Sequence, residues 1–229
     1  MPLTIRTAIT AGFTTVMAAC APGRNRAEDT KSSASASDTL WLFAADAAGD
    51  AVRAADSEAD LVKRYGAANV RRDSVLLGEG EFAAGVVLFP RDSTRRVEVA
   101  WKDRVNRAKP EFARVTGSRS RWIVYPGVSL GTCLEEVERI NGEPFTFFGF
   151  AFDGSGTNHT WGKGRLDSLW GSEAGSKRVW IRFEPRPPSP PQITAAERRQ
   201  LEGDKVLSSK NPIVRKVRPC VYELLLTPR

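Results

Sequence analysis

The stretch Thr132-Cys133-Leu134-Glu135-Glu136-Val137-Glu138-Arg139-Ile140-Asn141-Gly142 decides the reading of the fold. Leu134, Val137 and Ile140 recur three apart, which puts one apolar stripe on a short helix and leaves the acids and Arg139 facing water. Thr132 and Glu135 have the spacing of a capping box, and Gly142 is expected to end the helix in a left-handed conformation. Ser57-Glu58-Ala59-Asp60-Leu61-Val62-Lys63-Arg64-Tyr65-Gly66 has the same design, with Ser57 as cap, an acid three residues on, and Leu61, Val62 and Tyr65 as the apolar face. The two terminal glycines are about 76 positions apart, which reads as an internal repeat.

After each helix the period changes from helical to alternating. Phe82 to Phe89 ends at the turn Pro90-Arg91-Asp92-Ser93, and Val97, Val99 and Trp101 then alternate with Arg96, Glu98 and Ala100, as in a hairpin. Phe112 to Thr116 and Arg121 to Tyr125 continue that meander. In the second half, Pro144 to Phe152 is aromatic on both faces, and Val179, Ile181 and Phe183 alternate with Trp180, Arg182 and Glu184. The expected fold is α+β: two tandem units, each a short helix followed by an antiparallel β-meander, with helices on one sheet face. The first unit covers residues 40–126 and the second 127–229. A C-terminal extension begins with Pro185-Arg186-Pro187-Pro188-Ser189-Pro190-Pro191, a rigid extended crossing because proline fixes φ and lacks an N–H. A short helix opening at Thr194, a turn at Asn211-Pro212 and a closing strand over Val221 to Leu226 follow, the strand expected to pair with the second sheet.

The segment Val128-Ser129-Leu130-Gly131-Thr132, its continuation Leu134-Glu135-Glu136-Val137 and the ending Asn141-Gly142-Glu143-Pro144 resemble the signature of small bacterial lipoproteins of the BamE/SmpA type. The tandem arrangement is similar to the duplicated units of β-lactamase-inhibitory proteins, which share the helix-plus-sheet module. The first unit departs from the signature, since Gly66-Ala67-Ala68 lacks the proline. The resemblance implies the fold, and beyond it an assembly accessory or a blocker of a secreted enzyme.

The N-terminus points to the cell envelope. Residues 1–19 carry Arg6, a modest apolar run and then Met17-Ala18-Ala19 before Cys20, which resembles a lipobox. Residues 1–19 are read as a lipoprotein signal peptide and Cys20 as the lipidated residue. The run is too short and too rich in threonine to span a bilayer, which needs roughly 20 apolar residues. Each buried lipid methylene contributes about 0.8 kcal/mol, so two or three acyl chains hold a protein at a membrane. Ala21, rather than Asp, follows the cysteine, and the expected location is the periplasmic face of the outer membrane, ahead of the inner membrane or secretion. Residues 20–39 have the Ser/Ala-rich composition of a flexible tether.

Cys133 and Cys220 remain once Cys20 is set aside. In an oxidising compartment they form either one disulfide or two separate small thiols. A bridge across about 87 residues would remove roughly 4–5 kcal/mol of denatured-state entropy. There is no Cys-x-x-Cys redox motif, and one histidine in the whole chain gives no basis for a metal site. No cofactor is expected. His159 lies in the glycine-rich stretch Asp153-Gly154-Ser155-Gly156-Thr157-Asn158-His159, where Asp153 or Asp167 could orient it as a base and Ser155 or Thr157 act as nucleophile. The other reading of that stretch is a wide hairpin loop.

Two surfaces stand out by composition. The formal charge of +7 is concentrated in a hairpin-rich stretch that includes Arg95, Arg96, Lys102, Arg104 and Arg107, a candidate contact for anionic headgroups or an acidic partner. Nucleic acid is not an expected partner of an envelope protein. Phe148, Phe150, Trp161 and Trp170 fall in an aromatic cluster that either packs the core or lines a partner-gripping face. The expected function is a non-enzymatic envelope lipoprotein that docks a protein partner and contacts the membrane through its lipid. The alternative is an envelope enzyme or small-ligand binder centred on residues 153–170.

Overall fold

A computed structural model of the chain describes residues 42–44, 50–171, 178–186 and 193–229. By its contacts the chain divides into residues 1–38 and 39–229, and all that is described belongs to the second unit. The signal peptide, Cys20, the whole tether and residues 187–191 of the proline-rich crossing lie outside the described residues. The elements, in chain order, are β1 (Leu42–Ala44), α1 (Glu58–Tyr65), β2 (Val70–Gly78), β3 (Glu81–Leu88), β4 (Val97–Asp103), β5 (Ala108–Thr116), β6 (Ile123–Val124), β7 (Val128–Ser129), α2 (Leu134–Asn141), β8 (Thr146–Phe148), β9 (Asn158–Thr160), α3 (Arg165–Trp170), β10 (Val179–Glu184), α4 (Ala195–Leu201), β11 (Val206–Ser208), α5 (Pro212–Val217) and β12 (Cys220–Leu226). A single 3-10 turn, Ala67–Asn69, joins α1 to β2.

The architecture is α+β, and its centre is a six-stranded antiparallel sheet in the order β10-β12-β5-β4-β3-β2. Strands β2 to β5 are a meander of neighbouring hairpins. β12 lies between the two halves of the sequence, pairing Val179 to Glu184 of β10 on one side and Ala113 to Thr116 of β5 on the other. The expected closing strand is thus observed, but it joins strands of both halves into one sheet. Two small sheets, β1-β6-β7 and β11-β8-β9, flank it. The aromatic run after α2 contributes only Thr146–Phe148 as strand. Beyond it the amides of Gly149 and Phe150 turn to the carbonyls of Lys205 and Leu201.

Alternation sends Val86, Leu88, Val97, Val99, Val115, Ile181, Phe183, Leu224 and Leu226 to one sheet face, and all are buried there. The helices cover that face, since Leu61 of α1, Leu134 and Val137 of α2, Leu166 of α3, Leu201 of α4 and Val214 of α5 belong to the same apolar cluster. The opposite face holds a smaller cluster of Val75, Ala100 and Phe112.

Local chemistry explains the helix ends. Ser57 and Asp60 form the reciprocal capping box of α1, and Thr194 and Glu197 form that of α4. Helix α2 differs from expectation: Cys133 is its N-cap, with no side-chain cap hydrogen bond. The Thr132 hydroxyl instead accepts from the Ser129 amide at 3.0 Å, and the Leu134 amide donates to Pro219 at 2.9 Å. Pairing with the start of β12 takes over the role that a capping box would have had. Gly142 does end α2 in the left-handed region, at φ 79°.

Asn141, in the last turn of α2, is buried and uses both ends of its carboxamide. Its Nδ2 donates to the carbonyls of Glu143 (2.8 Å) and Trp161 (3.0 Å), and its Oδ1 accepts from the Leu166 amide (2.9 Å). This one side chain ties the end of α2 to the strand-to-helix turn before α3. A Cβ at Gly164 would overlap the Asn141 carboxamide, so the turn depends on glycine there. Replacing Asn141 with Ala leaves buried amide and carbonyl groups unpaired, and chemical denaturation of N141A should show a loss of about 2–3 kcal/mol; a change within about 0.5 kcal/mol would mean that water or another group takes its place.

Candidate functional site

The aromatic residues occupy the core. Phe145 meets Trp161 at 5.1 Å between ring centroids and Phe183 at 5.7 Å, Trp161 stands edge-on to Trp170 at 5.2 Å, and Phe147 meets Phe150 at 5.9 Å. The Trp170 indole donates to the Tyr125 carbonyl at 2.7 Å. Of the four aromatics considered for a partner surface, Phe150, Trp161 and Trp170 are buried, and this corrects that expectation. Phe150 leaves the β8 ladder to bond Leu201 and packs on Phe147, while Trp161 follows β9 and Trp170 ends α3, and these two meet edge-on in the core. Phe148 alone is partly exposed, with its ring edge-on to His159 at 5.1 Å.

The stretch 153–170 is not one loop, because it contains β9 and α3. His159, exposed on β9, has Nδ1 3.2 Å from the Thr146 hydroxyl. Asp153 and Ser155 lie against β10, where their backbone carbonyls accept from the Arg182 guanidinium at 2.5 and 3.0 Å. Asp167 sits in the first turn of α3. The residues considered for acid–base chemistry are therefore held by separate elements: His159 by β8 and β9, the 153–155 turn by β10.

The basic residues divide in the same way. Arg95 pairs with Asp92, Arg96 and Arg114 both with Glu98, and Arg107 with Glu58. On the outer sheet face Arg182 and the buried Glu223 extend this row, and burial pushes the Glu223 carboxyl above its usual range while Arg182 opposes that shift. A single unneutralised patch built from all five predicted cations is not what these pairings give. Lys102 and Arg104 are exposed at the end of β4 and in the turn that follows, and among the described residues neither takes part in an ion pair.

Because β2 and β4 run in the same direction, the β2–β3 and β4–β5 turns lie at one end of the sheet. This end exposes two large apolar side chains, Phe82 at 65% and Val105 at 86%. Lys102, Arg104, Glu79 and Glu81 surround them in sequence and are exposed too. Sequence patterning passed over Val105, although an apolar residue in the polar run Lys102-Asp103-Arg104-Val105-Asn106-Arg107 is a signal that a turn presents it to solvent.

A cleft of about 350 Å³ opens at the opposite end of β5, where β12 begins and β10 ends. Leu130 and Val221 form apolar wall, and Glu184, Arg186, Tyr222 and Cys220 supply polar atoms and a sulfur. Burial pushes the Tyr222 phenol up, and the Arg182 guanidinium stacks over its ring at 5.5 Å. Cys220 is joined to Cys133 by a disulfide. Nothing in the sequence marked Glu184 and Arg186 as neighbours of that bridge, since only pairing of β12 with β10 brings them there.

Two outcomes follow for these groups. Trp161→Ala should cost about 3–5 kcal/mol by chemical denaturation, as expected for a deep core position; a loss below about 1 kcal/mol would mean that the aromatic cluster does not hold the fold. Asp92 is held at about 2, below its ordinary 3.8, by the Thr94 hydroxyl and then by Arg95. A lowered carboxyl contributes stability above its unfolded pKa and loses it as pH falls through the folded value. Asp92→Asn should accordingly flatten the acid limb of the stability–pH curve between about pH 4 and 2, and an unchanged limb would show that this turn is not linked to unfolding.

No protein-family model, curated protein or solved structure matches this chain.

Proposed function

We propose that this protein is a non-enzymatic cell-envelope lipoprotein, anchored through Cys20 to the periplasmic face of the outer membrane, that docks a protein partner as an assembly accessory. The proposal treats residues 40–126 and 127–229 as tandem helix-plus-sheet modules that share one sheet, in keeping with the resemblance to BamE/SmpA-type lipoproteins and β-lactamase-inhibitory proteins.

The observation that carries the docking reading is the exposure of Phe82 and Val105 at one end of the main sheet. Scattered single apolar residues on a surface need no explanation, but two at neighbouring hairpin ends, each with exposed charged residues beside it in sequence, have the composition of an interface centre with a polar rim. Lys102 and Arg104 beside Glu79 and Glu81 give that rim both signs, which favours a protein surface of matching pattern over a uniformly anionic one. A tether of the Ser/Ala-rich kind over residues 20–39 would let the folded part work some tens of ångströms from the membrane, about 5–6 Å times the square root of its length.

The test is site-specific photocrosslinking in intact cells, with the crosslinker at Phe82 or Val105 and, as the comparison position, at exposed Lys163. One discrete adduct with an envelope protein from positions 82 and 105, absent at position 163 and reduced in a Cys20→Ser version, is the expected result. Equal labelling from all three positions would remove the docking surface from consideration.

A further inference from the structure

We propose that the Cys133–Cys220 disulfide is an exchange site, open to attack by a thiolate at Cys220 with Cys133 as the leaving group. The fold puts the two cysteines directly opposite each other in an antiparallel bridge, with Cα atoms 3.8 Å apart. Ordinary disulfides hold their Cα atoms at about 4.4–6.8 Å, and bridges outside that range are more easily reduced.

The surroundings favour one direction of opening. Cys220, itself buried at 7% exposure, forms part of the wall of the cleft, which gives a thiolate its route to this cysteine. Cys133 is the N-cap of α2, where the positive end of the helix dipole favours an anion. Arg186 adds a full positive charge, with Nη1 4.0 Å from the Cys133 Sγ. Both features stabilise a departing Cys133 thiolate, and a leaving thiol of lower pKa leaves faster.

The step balances as a thiol–disulfide exchange. The incoming thiolate forms a new S–S bond with Cys220 Sγ, the Cys220–Cys133 bond breaks, and its electron pair goes to Cys133 Sγ. A second thiolate, from the same partner or from another molecule, then attacks the partner sulfur of the mixed disulfide. Cys220 is released as thiolate, both cysteines end reduced after proton uptake, and the partner dithiol or thiol pair is oxidised by two electrons.

The fold is built to survive this opening. Gly131 donates to Val221 (2.7 Å), Val221 to Thr132 (2.9 Å) and Leu134 to Pro219 (2.9 Å), so backbone hydrogen bonds hold α2 to β12 on both sides of the sulfurs. The shared chemistry is a thiolate, from a small monothiol or from a protein dithiol.

Full-length protein would be incubated at neutral pH with millimolar glutathione or, separately, with a synthetic Cys-Gly-Pro-Cys peptide, then alkylated and mapped by mass spectrometry. The expected glutathione adduct is on Cys220 with Cys133 alkylated, and the dithiol peptide should leave both cysteines reduced in a protein whose circular dichroism is unchanged. Exchange with the peptide alone would assign the source to a protein dithiol. Arg186→Ala should slow exchange roughly threefold to tenfold and move Cys133 alkylation in the reduced protein to higher pH, with the melting temperature of the oxidised form unaltered. A bridge that resists both thiols until the protein is denatured, or glutathione found on Cys133 instead of Cys220, would overturn the proposal.

Discussion

The pairing of β12 on both of its edges is the interaction on which the rest of the structure depends. Residues Cys220–Leu226 are the last strand in the chain, and they lie between β5, formed a hundred residues earlier, and β10. A strand buried in the middle of a sheet has backbone groups on two edges that water does not reach, and both edges must be paired. Val221, Leu224 and Leu226 then join the strands of the first meander to Ile181 and Phe183 in one apolar layer. Without β12, the meander and β10 would each present an open edge.

Helix placement follows from that sheet. α2 meets the start of β12 through the Cys133–Cys220 bridge and three backbone hydrogen bonds, and its other end is tied to α3 through Asn141. Glu138, on the same helix, accepts from Ser209, Lys210 and Arg215, which fixes α5 against it. One eight-residue helix thereby connects the sheet, the aromatic cluster and the C-terminal segment. The aromatic cluster fills the space that this arrangement leaves between α3 and the sheet, and so its tryptophans face inward.

Function is left to the parts that packing does not consume. Arg95, Arg96, Arg107 and Arg114 of the basic stretch are paired with acids in a turn, on the sheet and on α1, and exposed pairs of that kind contribute little each. The two hairpin ends with Phe82 and Val105, and the cleft beside the disulfide, lie at opposite ends of the sheet. They differ in chemistry: one is two apolar side chains with charged neighbours in sequence, the other a sulfur bridge beside a cation. Docking at the first and thiol exchange at the second, as proposed above, would not compete for the same surface.

Local signals in the sequence determined α1, α2 and α4 and the most regular strands, whereas α3 lies in a stretch that reads as a loop. Ser57 with Asp60 and Thr194 with Glu197 cap helices by contacts three residues long, and Val97 to Trp101 or Val179 to Phe183 alternate plainly enough to show a strand with one buried face. β2 escaped notice because its first half, Val70-Arg71-Arg72-Asp73-Ser74, carries charge on both faces, as an exposed sheet edge allows. Only the tertiary structure decided that both halves share a sheet, that Cys133 rather than Thr132 caps α2, that Trp161 and Trp170 are core, and that Arg186 stands beside a disulfide. Each of those depends on residues tens of positions apart meeting across β12, and no short-range period or spacing records which edge a strand will pair with.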